Sequence, residues 1–154
     1  NRGPGSFTGT RVASSVIQAI AYTHNIPVIG ISSMWLMAYQ ASRIRQLNQY
    51  CCIKHAYGEM IYISHLSSPL DKNNTNVKLI KESELSIKDD ENVVIEDSTL
   101  VKMFNLKHSN IINLSEHKKS LDAISQIEAL ESNDYKEKNF NLKTTLPDYA
   151  DHEV

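Results

Sequence analysis

The stretch Gly3-Pro4-Gly5-Ser6-Phe7-Thr8-Gly9-Thr10-Arg11 is the sharpest feature of the sequence. Three of the chain's five glycines fall within seven residues there, so the backbone must turn tightly or come close to something. An apolar-periodic segment follows. The free N–H groups at the start of a helix, together with the helix dipole, favour an anion. Ser6 and Thr8 would add hydroxyl donors, or else cap the helix. The stretch is not a phosphate-binding GxxxxGK[ST] loop, because the lysine is missing. Two readings stay open on these grounds: an anion cradle built from Gly3, Gly5, Ser6, Thr8 and Gly9, or a tight turn that caps a helix.

No second constellation has comparable spacing. The histidines His24, His55, His65, His108, His117 and His152 are scattered without metal-ligand spacing. His55 and His65 bracket a hairpin and could meet across its strands, but a surface pair outweighs a metal site. Cys51 and Cys52 are adjacent, fit no disulfide framework, and read as buried strand thiols in a reducing compartment. Glu59 and Glu128 are lone acids, and Asp89-Asp90-Glu91 reads as a solvated acidic run. Neither a catalytic set nor a metal set emerges.

The elements that must position the glycine stretch follow from periodicity. Val12, Ala13, Val16, Ile17 and Ile20 put one apolar stripe on a helix beginning near Thr8. Its other face carries Ser14, Ser15, Gln18 and Tyr22, small and uncharged enough for a second helix to lie against, or else simply solvated. Residues 26–31 read as a buried strand and 34–44 as a second helix capped by Ser32 or Ser33. After a polar stretch, 51–53 and 59–66 read as strands joined by a turn at Tyr57-Gly58. Residues 67–76 read as a loop and the charged run 88–91 as a turn. Shorter strands are expected at 77–80, 92–95 and 110–114, with helices at 100–106 and 120–131. This rhythm predicts an α/β protein of two lobes, residues 1–46 and 47–154.

The 154 residues carry a formal net charge of -2, which argues against a strongly basic nucleic-acid binder. No apolar run reaches the ~18 residues of a membrane span. The chain opens on Asn1 and enters its most specialised turn at once, so the expectation is a fragment of a longer protein, with the first lobe incomplete.

The stretch GPGSFTGxR, the Ala/Val/Ile helix after it, then IPVIGISS and a further helix together resemble the signature of the TsaB family. The likeness is strong over residues 3–42, partial over 50–62 and faint over 67–145. Where the family has IDARxGEVY, Gly58-Glu59 matches and Lys54-His55-Ala56 departs. Near the end, Pro147 and Tyr149 fit a Pro-x-Tyr-Leu-Arg ending, with Asp151 in place of an arginine. The paralogous TsaD family shares the Gly-Pro-Gly turn. It carries a metal-binding His-x-x-x-His pair where this chain has Ser32-Ser33-Met34-Trp35-Leu36-Met37.

The resemblance implies an actin-like ATPase, ribonuclease H-like superfold. It also implies a cytoplasmic, non-catalytic partner subunit of the complex that makes N6-threonylcarbamoyladenosine at position 37 of tRNAs. The implied partners are a TsaD-type catalytic subunit and a TsaE-type ATPase, with a homodimer as an alternative pairing and tRNA met only through the complex. No intrinsic cofactor is implied, and ATP or ADP enters at the level of the complex. The helix after the glycine stretch lies in the family's docking region, which makes Arg11, Ser14, Ser15, Gln18 and Tyr22 the interface candidates. Two other readings stand beside this one. The first is a nucleotide-binding enzyme of the actin-like or sugar-kinase kind. The second is an inactive truncated copy, favoured by the departures at Lys54-His55-Ala56 and Asp151.

Overall fold

A computed structural model describes residues 3–26, 28–67, 76–88, 91–96, 98–103, 110–117 and 126–128. Among the described residues, five strands form one mixed sheet in the order β3-β2-β1-β4-β5. The long hairpin of β1 (Gln49–Tyr57) and β2 (Met60–Ser67) is its centre. Gly58 takes the left-handed conformation at the hairpin tip (φ 54°), which a side chain would disfavour. β3 (Lys78–Lys81) adds antiparallel to β2, while β4 (Val93–Ile95) and β5 (Ile111–Asn113) add in parallel on the other side of β1. The short helix α3 (Ser98–Met103) lies between the two parallel strands in sequence, as a parallel connection requires.

Both faces of the sheet are buried, so β1 reads as an unbroken buried run over Tyr50–Ile53 instead of alternating. Period-2 geometry sends Tyr50 and Cys52 to one face and Cys51 and Ile53 to the other. The first face packs on α2 (Ser33–Ser42), whose Met34, Trp35, Leu36, Met37, Ala38 and Ala41 are all fully buried. Trp35 stacks on Tyr39 within this core, ring centroids 5.4 Å apart. The second face packs Cys51, Ile53, Ile61, Ile63, Val93 and Ile95 with Leu100 of α3. α2, placed by the sequence reading in the first lobe, therefore shares a core with the sheet of the second.

Helix α1 (Phe7–His24) starts where the glycine stretch predicts and ends at Asn25, in left-handed conformation (φ 52°, ψ 44°). Residues 28–31 form no named strand, contrary to the expected strand over 26–31. Among the described residues, the pairing in this region is a single parallel bridge between Gly3 and Ser32. Ile31 is buried and Ile26 is 53% exposed. An apolar run makes a strand only where a neighbouring backbone supplies the ladder. β2, β3, β4 and β5 match expectation within a residue, whereas β1 runs from Gln49 to Tyr57 where 51–53 was expected, and the turn falls at Gly58-Glu59, one residue later than expected. Where a turn is expected over 88–91, Glu91 N–H donates to the Lys88 carbonyl at 3.0 Å, and residues 89 and 90 lie outside the described residues. Most of the expected loop at 67–76 and of the helix at 120–131 lies outside the described residues, as do Asp151, His108 and His152.

Candidate functional site

The glycine stretch is held at three points. Ser33 N–H donates to the Gly3 carbonyl at 2.6 Å, and Ser33 Oγ donates to the Pro4 carbonyl at 3.2 Å. From the sheet, the Tyr62 hydroxyl of β2 donates to the Gly5 carbonyl at 3.3 Å. These bonds fix the turn against the start of α2 and the face of the sheet. Gly3 adopts φ 98°, a conformation that demands glycine, and the Gly3-Pro4 peptide bond is cis.

Ser6 is the N-cap of α1. Its Oγ accepts from Gly9 N–H at 3.4 Å, a long bond, and its carbonyl accepts from Thr10 N–H and Thr10 Oγ1, both at 2.8 Å. Ser6 is therefore engaged as a cap, and Thr8 lies exposed in the first turn. Gly5 and Gly9 differ from Gly3. A Cβ built on Gly5 would meet Thr10 Oγ1 at 3.5 Å, and one built on Gly9 would meet Ser6 at 3.5 Å; both are ordinary contacts. Neither glycine is needed for packing within the described chain. Gly9, inside the first turn of a helix, costs roughly 0.5–1 kcal/mol relative to alanine.

Helix α1 faces the body with the opposite side from the one its composition suggests. Thr10, Ser14, Gln18 and Ala21, spaced four, four and three, are half-buried or buried. The apolar stripe stands outward, with Val12 57%, Val16 51%, Ile17 47% and Ile20 48% exposed. The interface candidates are accordingly split: Ser14 and Gln18 face inward, while Arg11, Ser15 and Tyr22 are exposed. The Arg11 guanidinium lies 3.8 Å from the Phe7 ring centroid, a cation–π contact on the outer surface. The sequence reading missed that the apolar side is the uncovered one.

His55 and His65 do not meet. His55 is opposite Ile61 and His65 opposite Cys51, so four residue positions separate them along the hairpin, roughly 13 Å. His55 Nε2 contacts the Gly58 carbonyl at 3.1 Å, and Lys54 pairs with Glu96 at 3.0 Å. His65 Nδ1 instead lies 2.7 Å from Glu91 Oε1, beside Cys51. Burial, then the charge of Glu91, push the Cys51 thiol up to about 12. Cys52, wholly enclosed on the α2 side, is also raised. Glu91 belongs to the acidic run expected to be solvated. Its side chain is only 16% exposed, because Lys88 N–H donates to Oε2 at 3.3 Å and turns it inward.

Among the described residues, no helix is long and apolar enough to cross a membrane. The family model described as TsaD, tRNA N6-adenosine threonylcarbamoyltransferase, matches residues 1–89. The tRNA threonylcarbamoyladenosine biosynthesis protein TsaB of Haemophilus influenzae is 37% identical over 65 residues, 42% of this chain and 28% of that protein. The protein of the same name from Escherichia coli is 45% identical over 42 residues, 27% of this chain and 18% of that protein. The chain thus aligns with less than a third of the length of these curated relatives. The solved structure of YeaZ from Pseudomonas aeruginosa overlays on 97% of this chain and 71% of its own, with TM-score 0.68 and 17% identity. The fold is the actin-like, ribonuclease H-like α/β fold.

Proposed function

The chain belongs to the TsaD family, and from that premise we propose that it acts as a partner subunit of the TsaB kind in making threonylcarbamoyladenosine in tRNA. In this reading it docks on a TsaD-type catalytic subunit and does not itself transfer the group. It works with a TsaE-type ATPase in the cytoplasm and meets tRNA only through the assembly.

The observation that carries the proposal is the outward apolar stripe of α1. Val12, Val16, Ile17 and Ile20 are each about half exposed on one helix face, next to Phe7 at 60%. Covering them would contribute roughly 1 kcal/mol each. A stripe of this kind on a long helix suits a helix-to-helix contact better than solvent. A second feature is consistent with a non-catalytic role. Ser33, Met34, Trp35, Leu36 and Met37 stand where TsaD-type subunits resemble one another in carrying metal-binding histidines, and here they are 0–2% exposed in a packed core. Side chains so placed have neither the donors nor the access for a metal.

The test is a pull-down against a TsaD-type subunit from the same cell, with two variants of opposite placement. Val16→Asp alters the apolar stripe, and Ser15→Arg alters the polar side first expected to dock. Loss of binding with Val16→Asp and retention with Ser15→Arg assigns the stripe. Retention by both variants would overturn the docking role of α1.

A further inference from the structure

We propose that Cys51, His65 and Glu91 hold a divalent transition metal of the zinc class at the second face of the sheet. The three come from three separate backbone segments. Cys51 on β1 and His65 on β2 are direct cross-strand partners, which places both on one face. Glu91 lies at the entry to β4, whose preceding residue Asn92 accepts from Cys51 N–H at 2.8 Å. One ligand atom from each residue lies within 4.8 Å of the others. Tetrahedral zinc with sulfur, nitrogen and oxygen ligands needs such atoms roughly 3–4 Å apart, so modest side-chain adjustment closes the set.

The donor types select the ion. A thiolate with an imidazole favours zinc, cobalt or copper over magnesium or calcium, which prefer oxygen alone. The ligands are also supported. The Lys88 backbone N–H bonded to Glu91 Oε2 orients the carboxylate and leaves Oε1, now against His65 Nδ1, as the oxygen presented to the cluster. Glu91 also lines a pocket of about 610 Å³ with Gln49, Ser67, Lys88 and Asn92. A fourth coordination position would open toward that space.

A buried thiol beside a carboxylate keeps its proton, because both the burial and the negative charge oppose the thiolate. A metal cation among the three atoms would offset both by stabilising the thiolate directly. The Cys51 thiol proton leaves to solvent, and the His65–Glu91 contact gives way to two metal–ligand bonds. Cys52 points into the opposite core and takes no part.

Co2+ titration of the reduced, chelator-treated chain tests the site. The expected result is a thiolate-to-cobalt charge-transfer absorption that saturates at one cobalt per chain and is abolished by added Zn2+. His65→Ala and Glu91→Gln should each weaken cobalt binding by roughly tenfold or more, and Cys51→Ser should remove the absorption. Cys52→Ala should leave it unchanged. His65 is 59% exposed, so its variant keeps the fold even if substitution of Cys51 does not. No charge-transfer absorption from the parent chain at millimolar cobalt, or unchanged affinity in both His65→Ala and Glu91→Gln, overturns the site.

Discussion

The Tyr62 hydroxyl of β2 donates to the carbonyl of Gly5, 57 positions earlier in the chain, at 3.3 Å. This bond ties the glycine turn to the central hairpin. Replacing the hydroxyl leaves the part-buried carbonyl short of a donor while keeping the ring. Tyr62→Phe is expected to cost about 0.5–1.5 kcal/mol. Urea unfolding should show a lower midpoint at an unchanged slope. A midpoint identical to the parent would mean the bond does not anchor the turn.

Gly3 and Gly9 should separate in a stability measurement. Gly3 sits at φ 98°, so Gly3→Ala should cost about 1–2 kcal/mol through backbone strain. Gly9 lies in the first turn of α1 with only ordinary contacts around an added Cβ. Gly9→Ala should therefore stabilise the chain by roughly 0.5–1 kcal/mol, by restricting its unfolded state. If the same variant also loses its binding to a TsaD-type subunit or to ATP, Gly9 is kept for something that approaches from outside. If Gly9→Ala destabilises, the glycine serves the turn itself.

Helix α2 carries the core on the first face of the sheet. Trp35 is fully buried and stacked on Tyr39, so truncation leaves a large cavity. Trp35→Ala should cost about 3–5 kcal/mol. Circular dichroism during thermal unfolding would check it. A melting temperature near that of the parent would contradict the packing of α2 against the sheet.

Much of this arrangement is legible from local pattern. The hairpin follows from two apolar runs around Gly58, and the start of α1 from a glycine stretch ahead of a 3.6-residue stripe. What covers a stripe is a tertiary fact. Val12, Val16 and Ile20 look like core in sequence yet stand outward, while the less exposed side of α1 carries Thr10, Ser14, Gln18 and Ala21. Residues 28–31 have the apolar content of a strand, but strand identity depends on a neighbour. The Cys51–His65–Glu91 cluster was out of reach for a related reason. Fourteen positions separate Cys51 from His65 and twenty-six separate His65 from Glu91, and only the strand register brings them together. The turn at Gly58-Glu59 alone would pair Cys51 with Leu66; the irregularity between His55 and Tyr57 shifts the register by one residue and sets His65 opposite Cys51.

The buried thiols make stability depend on alkaline pH in the metal-free chain. Cys51 is raised to about 12, so in the folded state it stays protonated where the unfolded chain has begun to ionise. Above the unfolded thiol value of about 8.5, the unfolded state binds fewer protons, and stability falls as pH rises. The stabilising contribution is fully present below about 8.5 and is lost progressively up to about 12. The limiting slope is about 1.4 kcal/mol per pH unit for each such thiol. Cys52, raised for the same reason, acts in the same direction. With EDTA present, urea midpoints measured from pH 7 to pH 10 should decline, and Cys51→Ala should flatten the decline. Iodoacetamide at pH 8 should label the native chain far more slowly than the urea-unfolded chain. Equal labelling rates would show that these thiols are not enclosed between the strands and their packed faces.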